Sequence, residues 1–355
     1  MRIAIIHNQP EAKGDWLSRS GAGAAPSQPG LHDAAEYGIL GEVDLIEASL
    51  AHAGHETTIF APAGTAALCA FLTDHRPDLV FNCCESFAGK AALEMNVAAL
   101  FELFGVAYTG SSALTLGLLL NKPLTKAVLT GRGIHTPAFA VFNPGEDGIS
   151  CRGLSYPLIV KPAAEDASIG IDDGAVVRDI GALQERVRFI WREFHQAALV
   201  EEFISGREFN VSLLADRGGG FNPLAIGEMA FDLLPPGRPQ ILGYEAKWDT
   251  DAAFTQAMAS RCPADIDENT ADQIRQTALT VARTVGLDGY GRIDFRMRDS
   301  DSTLFVLEAN PNPDLSDECS FLRAARASGR TNHQTICEIA ARAVERHRRD
   351  QSMAV

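Results

Sequence analysis

The apolar positions near the start of the chain fall into short continuous runs separated by longer stretches with helical spacing. The runs are "RIAIIH", "ETTIFAP", "DLVFNCC" and "VAYTG". Between them lie "GEVDLIEASLAHAGH", ending at Gly54, and "AALEMNVAALFELFG", closing on Gly105. Strands alternating with helices predict an open parallel sheet. The segment Gly14 to Gly30 is too rich in Gly, Ser, Ala and Pro to pack. It reads as a mobile loop over the carboxyl edge of that sheet.

From about Leu120 the pattern changes. "NKPLTKAVLTGRGIHTPAFAVF" reads as a helix and then a strand, and "YPLIVKPAAEDASIGI" as a strand and a small-residue loop. A polar helix and "ALVEEFISGREFNVSLL" follow. Beyond Gly206 come more strands, a loop "GYEAKWDTDAAF", the long helix "TADQIRQTALTVARTVGL", a hairpin and a terminal helix. The expected division is 1–119, 120–205 and 206–355.

The hairpin, Arg292 to Ser316, is where the polar pattern departs from a plain sheet. Ile293, Phe295 and Met297 alternate on one flank, Leu304 to Leu307 form an apolar run on the other, and Asp299 to Ser302 suit a turn. Folding about Ser300 and Asp301 brings Asp294 roughly opposite Glu308 and Arg292 roughly opposite Asn310. Side chains in a strand have a period of two, so these four share a face. Two carboxylates and an amide oxygen there suit magnesium, which takes few protein carboxylates plus waters and phosphate oxygens. The competing reading is a solvated face with an Arg292–Asp294 pair. The "NPNP" that follows is a rigid turn that fixes where the strand end points.

Composition narrows the class. The 355 residues allow two or three domains, and 46% apolar with 22% charged residues describes a globular chain. Lys and Arg number 31 against 46 Asp and Glu, for a net charge of −15. That balance disfavours nucleic acid or an anionic membrane as the main partner. No apolar run reaches the length of a membrane span, and the start reads as a strand, not a signal peptide. Seven cysteines without a C-x-x-C pair suggest reduced thiols in a cytoplasm.

Three further stretches carry chemistry. Lys161 ends an apolar strand beside a small-residue loop, where it can hold a phosphate with loop amides; a snorkelling lysine is the plain alternative. In "LVEEFISGRE" the backbone between Glu202 and Ile204, with Glu208 beyond, could bind an adenine edge and a ribose; an edge strand with solvated acids is the alternative. Lys122 precedes a proline that suits the first turn of a helix.

In this order the stretches resemble the ATP-grasp superfamily and, within it, the D-alanine–D-alanine ligase family. The matching runs are "YTGSSALTLGLLLNKPLTKAVLTGRGIHTPAF", "YPLIVKPAAEDASIGI", "LVEEFISGREFNVSLL", "GYEAKW", "VGLDGYGRIDF" and "LEANPNP". The resemblance spans about Phe81 to Ala341 and implies an α/β chain with an N-terminal open parallel sheet followed by two antiparallel-sheet subdomains clamping ATP. It implies Asp294, Glu308 and Asn310 as ligands of two magnesium ions, with manganese as a substitute, and Arg292 on the oxyanion of a tetrahedral intermediate. Lys122, Lys161 and Lys247 match phosphate lysines, and Ser168 the loop over the phosphates. Ile159, Glu201, Glu202, Phe203 and Ile204 match the adenine pocket, and Glu208 the ribose acid. Trp248 beside Lys247 marks the "YEAKWD" loop as a lid.

The implied activity is carboxylate–amine ligation through an acyl phosphate, on small amino-acid-like substrates, by a cytoplasmic protein, with a homodimer as the expected assembly. The alternatives are an authentic D-alanine–D-alanine ligase and a nucleotide binder without turnover. The sequence departs from the family on the substrate side. Pro311 to Asp314 replace Thr-Ser-Pro-Gly, a later serine falls near Cys319, and "NCCES", Asn82 to Ser86, replaces a His-Gly stretch. Glu42 is a possible ammonium partner, and Asp314, Asp317 and Glu318 suggest a cationic acceptor.

Overall fold

A computed structural model describes residues 1–8, 31–165, 168–232, 234, 237–241 and 260–353. The Gly14–Gly30 loop and the "YEAKWD" loop with Lys247 and Trp248 lie outside the described residues.

The first sheet is parallel, as expected, with β1 (Arg2–His7) between β2 (Glu56–Phe60) and β3 (Leu79–Cys83). The expected fourth strand, "VAYTG", is reduced to a parallel bridge between Tyr108 and Val80. Left-handed glycines at Gly105 and Gly110 bracket it, so the chain runs extended only briefly. Helices α1 (Leu31–His52), α2 (Thr65–His75) and α3 (Glu94–Phe104) surround the sheet. One face of the sheet packs Ile3 and Ile5 against Val43, Ile46 and Leu50 of α1. The other packs Ala4 and Ile6 with Leu68, Phe71 and Phe101.

Two short helices, α4 (Ala113–Leu120) and α5 (Lys122–Gly131), lead out of this layer. Asn121 caps α5 by accepting from the Leu124 amide at 3.1 Å, and Pro123 sits in the first turn, where its missing N–H costs nothing. The central sheet is antiparallel, in the order β4 (Phe139–Phe142), β7 (Ala198–Glu202), β5 (Leu158–Pro162), β6 (Val176–Val177). Helix α6 (Ile180–Phe194) covers one face, burying Leu158, Val160 and Val200 against Leu183, Val187 and Ile190. The period of two turns Ile159, Lys161 and Glu201 to the opposite face.

The largest sheet runs β11 (Ser260–Arg261), β10 (Gly227–Met229), β8 (Gly206–Ala215), β12 (Tyr290–Arg298), β13 (Leu304–Asn310), with β9 (Phe221–Pro223) pairing β8. Helix α7 (Glu268–Val285) packs Ile274, Ala278 and Val281 on Phe209, Val211, Ile293 and Phe295. Asp267 caps α7 through the Thr270 amide at 3.0 Å, and Gly286 ends it in the left-handed conformation. The last helices, α8 (Ser320–Ala327) and α9 (Asn332–Met353), return to the first sheet. Phe321, Ile336 and Ile339 share one core with Ile3, Phe81 and Leu214. Arg346 of α9 donates to the carbonyls of Gly110 and Tyr108 at 2.5 Å and pairs with Asp288 at 3.2 Å, tying the two layers together.

The hairpin β12–β13 has an irregular register. Arg292 pairs with Asn310 and Asp294 with Glu308, but Phe295 pairs with Val306, which leaves Leu307 as an extra residue on β13. Such a bulge reverses the alternation of one strand relative to its partner. Leu304 and Val306 therefore face the core before it and Ala309 after it, while Glu308 and Asn310 join Arg292 and Asp294 on the other face.

Deleting Leu307 is therefore expected to keep Phe295 opposite Val306 and Asp294 opposite Glu308 in an unbroken ladder, with Glu308 and Asn310 still on the polar face. Thermal melting should show a far smaller loss than for Phe295→Ala, which empties the core beneath α7 at a cost of about 3–5 kcal/mol.

Candidate active site

The polar face of the large sheet is built in cross-strand rows. Ser212 of β8, Arg292 and Asn310 form one row, and Asn210, Asp294 and Glu308 form the next. Glu208 and Arg296 form a third. Arg292 donates to Asp294 through Nε at 2.8 Å and Nη2 at 2.9 Å, and the amide nitrogen of Asn310 donates to Asp294 at 3.0 Å. Burial works against the Arg292 charge, but the adjoining Asp294 carboxylate outweighs it and raises its pKa. Lys122, at the start of α5, reaches Glu308 at 3.3 Å.

The central sheet faces this row with a second group of charges. Lys161 Nζ lies 2.6 Å from one oxygen of Glu201, and Lys126 Nζ lies 2.5 Å from the other. Lys126 also donates to the Thr136 hydroxyl. The Lys126 and Glu201 side chains are only 2% exposed. Burial, followed by the charges of Lys161 and Lys122, pushes the pKa of Lys126 well below its usual range. Burial, followed by the charge of Lys122, lowers that of Lys161 to about 8. The amines of Lys122, Lys126 and Lys161 thus gather around the carboxylates of Glu201 and Glu308, an arrangement that suits an anion such as a phosphate chain.

Ser168 sits in a turn after β5 at φ +62°, a conformation rare for a residue with a side chain, and its carbonyl accepts from the Ile171 amide at 3.0 Å. The link between the two sheets, Phe203 to Ser205, is held from below. Arg296 donates to the carbonyls of Ile204 at 3.2 Å and Gly206 at 3.3 Å, and its Nε donates to Glu208 at 2.8 Å. Its guanidinium also stacks within 5.4 Å of the Phe203 ring. The side chain of Glu202 turns away to accept from the Ser155 amide at 2.7 Å.

On the side facing the first sheet, the Glu42 carboxyl is buried. Burial, then the charges of Asp314 and Glu85, pushes its pKa well up. Burial and Asp314 likewise push the Cys319 thiol up to about 12. Tyr290 donates to Asn312 at 2.6 Å beneath this pocket. Asp314 accepts from the Ser316 amide at 2.6 Å and hydroxyl at 2.9 Å, which fixes its turn. Asp317 and Glu318 do not join the group. They pair with Arg326 at 3.1 and 3.6 Å at the surface, and the Glu318 side chain is 79% exposed.

Sequence reading missed Lys126, Arg296, Asn210 and Ser212. Lys126 stands four residues after Lys122 on a helix, and so on the same face. Arg296 continues the alternation of Arg292 and Asp294, and Asn210 and Ser212 continue that of Glu208.

The chemistry of the donor set tests whether a metal belongs here. Asp294, Glu308 and Asn310 offer only oxygen ligands once the Asn310 amide presents its oxygen, which a half-turn achieves. No group of three or more His, Cys, Asp or Glu among the described residues is placed to hold a metal unaided. A site of this kind fits magnesium, which brings waters and takes phosphate oxygens to complete its shell.

Comparison with known proteins places this geometry in a class. The sequence pattern of the family described as "D-ala D-ala ligase C-terminus" matches residues 129–340. A D-alanine–D-alanine ligase of Ralstonia pickettii is 31% identical over 261 residues, covering 73% of each chain. The uncharacterized protein y4sG of Sinorhizobium fredii is 32% identical over 301 residues, covering 82% of this chain and 84% of that one. The crystal structure of a Bacillus anthracis D-alanine–D-alanine ligase complexed with ATP superposes with a TM-score of 0.73 at 17% identity, covering 99% of both chains. The fold is the ATP-grasp fold of that ligase. The chain belongs to the D-alanine–D-alanine ligase family.

The lowered pKa of Lys161 has a direct consequence for anion binding. An anion bound against Lys161 favours the protonated amine, so its affinity is expected to be full well below pH 8 and to fall as pH rises through about 8, by up to tenfold per unit. Calorimetric titration of ATP at pH 7 and pH 9 measures this, with Lys161→Arg expected to flatten the loss.

Proposed function

We propose that this chain is an ATP-dependent carboxylate–amine ligase that forms an amide bond between small amino-acid-like substrates and releases ADP and phosphate. The observation that carries the reading is the meeting of two polar sheet faces. Arg292, Asp294, Glu308 and Asn310 on one oppose Lys161 and Glu201 on the other, with Lys122 reaching across to Glu308. A carboxylate alone does not condense with an amine near neutral pH, because oxide would have to leave. An oxygen of the substrate carboxylate instead attacks the γ-phosphorus of ATP and displaces ADP, giving an acyl phosphate. The amine then attacks the acyl carbon, loses a proton, and expels phosphate.

Each residue has a role in that sequence. Lys122 and Lys161 hold the phosphates, together with Lys247 and the turn at Ser168. Asp294, Glu308 and Asn310 would hold magnesium, which offsets charge between the reacting anions. Arg292 stabilises the oxyanion formed when the amine adds. Ile159, Phe203 and Ile204 line the adenine pocket with the backbone of Glu201 and Glu202. Glu208, held by Arg296, takes the ribose. Water must be excluded, since it would hydrolyse the acyl phosphate.

The amine side differs from the nucleotide side. Asp314 and Glu85 place negative charge beside the buried Glu42 carboxyl, and like charges disfavour an acceptor carboxylate at that point. The acceptor we favour carries an extra positive charge or lacks that carboxylate. Authentic D-alanine–D-alanine ligation is the second reading, favoured by the names of the relatives in Ralstonia and in Marinomonas, the latter 34% identical over 243 residues.

Glu308→Gln should leave the fold intact and lower turnover by at least 100-fold, measured as ADP release. Activity within a few fold of the unmodified protein would mean that the hairpin face is only solvated.

Phosphate release measured over a panel of D- and L-amino acids, basic and amide-capped amino acids, with products weighed by mass spectrometry, identifies the acceptor. Robust D-alanyl-D-alanine formation at millimolar D-alanine would establish the second reading instead.

A further inference from the structure

The catalytic face holds two buried polar groups that the nucleotide chemistry above leaves unused. Asn210 is 9% exposed, and its amide oxygen has no hydrogen-bond partner among the described residues. Ser212 is fully buried, and its hydroxyl is also without a partner. Native chains rarely leave such groups unmatched, because the water lost on burial is then not replaced. Both orphans lie on β8 directly opposite the working residues of β12, Ser212 beside Arg292 and Asn210 beside Asp294.

The neighbours of Asn210 explain why no protein group answers it. In its row stand Asp294 and Glu308, whose carboxylates accept hydrogen bonds and cannot supply one to an amide oxygen. On the other side is Gly227, which has no side chain to offer. A Cβ added there would come within 2.6 Å of the Asn210 oxygen, so the glycine keeps open the space that the amide occupies. The missing donor must also be compatible with two adjacent carboxylates. Water polarised by a divalent cation meets both requirements, since the cation binds the carboxylates and its water donates to a nearby acceptor.

We propose that the Asn210 amide oxygen accepts a hydrogen bond from water carried by the divalent cation at Asp294 and Glu308, and so acts as a positioning residue for that cation. The inference rests on the ligase reading above. It makes the catalytic row three strands wide, with β8 contributing to the cation's surroundings as well as the ribose acid Glu208. It also assigns a purpose to Gly227, on a strand that otherwise carries none of the site.

Titration of Mn2+ into the full-length protein at saturating ADP, followed by electron paramagnetic resonance, tests the proposal. Asn210→Leu keeps the volume and removes the acceptor. It is expected to weaken Mn2+ binding by about 10–100-fold. Its metal-free melting temperature should be unchanged or higher, because an unmatched polar group is gone. Asn210→Asp keeps an acceptor oxygen and is expected to bind Mn2+ at least as well as the unmodified protein. Should Asn210→Leu fail to fold, Asn210→Ala carries the same comparison. Mn2+ affinity within twofold in the Leu or Ala variant overturns the proposal, as does equal weakness of the Asp variant. An unmodified protein that binds no Mn2+–ADP overturns the ligase reading as well, whereas tight binding by unmodified and Leu forms alike overturns only the role of Asn210.

Discussion

One unpaired residue, Leu307, decides which side chains face the nucleotide. A hairpin closed symmetrically about Ser300 and Asp301 would set Asp294 against Leu307 and turn Glu308 toward α7. The bulge shifts the pairing so that Asp294 meets Glu308 and Arg292 meets Asn310. Because strand side chains alternate strictly, this single insertion converts an apolar run ending in "LEAN" into a strand that is apolar at one end and chemical at the other. The cost is one broken ladder position. The gain is a rigid scaffold on which four polar groups are placed by backbone hydrogen bonds and not by flexible loops.

The second constraint is electrostatic. Burying the Glu201 carboxylate between Lys126 and Lys161 is expensive, since desolvating paired charges commonly costs as much as their attraction returns. A stable fold could fill that space with leucine at no loss. The arrangement makes sense as a site kept cationic and dry in advance of an anion, with Glu201 holding both lysines apart until phosphates arrive. The lowered pKa of Lys161 is a measure of the same poise: its charge is held against burial, ready for an anion that would restore it.

Much of this could be read from the chain alone, for physical reasons that differ by element. The alternation of strand and helix is periodic, so the parallel sheet was legible, whereas Arg292, Asp294, Glu308 and Asn310 reach one face only through the unpaired Leu307, which parity alone does not reveal. Helix α2 was not, because "TAALCAFLTDH" carries little contrast between its faces. The fourth strand was overread in "VAYTG", since flanking glycines that end a helix also cut a strand short. Arg296, Asn210 and Ser212 share the decisive parity but look like ordinary strand residues until β8 is known to lie beside β12. The sequence left open whether Asp317 and Glu318 join Asp314 or pair with Arg323 or Arg326, because the loop path that decides it is not locally encoded.

The polar face between the two antiparallel sheets and the acidic group near the first sheet are held by different parts of the chain, and that difference matches where the sequence departs from the family pattern. The nucleotide face lies between two antiparallel sheets whose positions are set by ladders, by the Arg296 clamp on the interdomain link, and by buried ion pairs. Any substitution there disturbs packing on both faces. The acidic group is assembled from pieces distant in sequence: Glu42 on α1, Glu85 after β3, and Asp314 after β13. The return of α8 and α9 to the first sheet, with Arg346 bound to the carbonyls of Tyr108 and Gly110, holds these pieces together without drawing on their side chains. Their charges are therefore free to vary while the frame stays fixed. A chain built in this way can hold one polar face constant while the charge of the other varies.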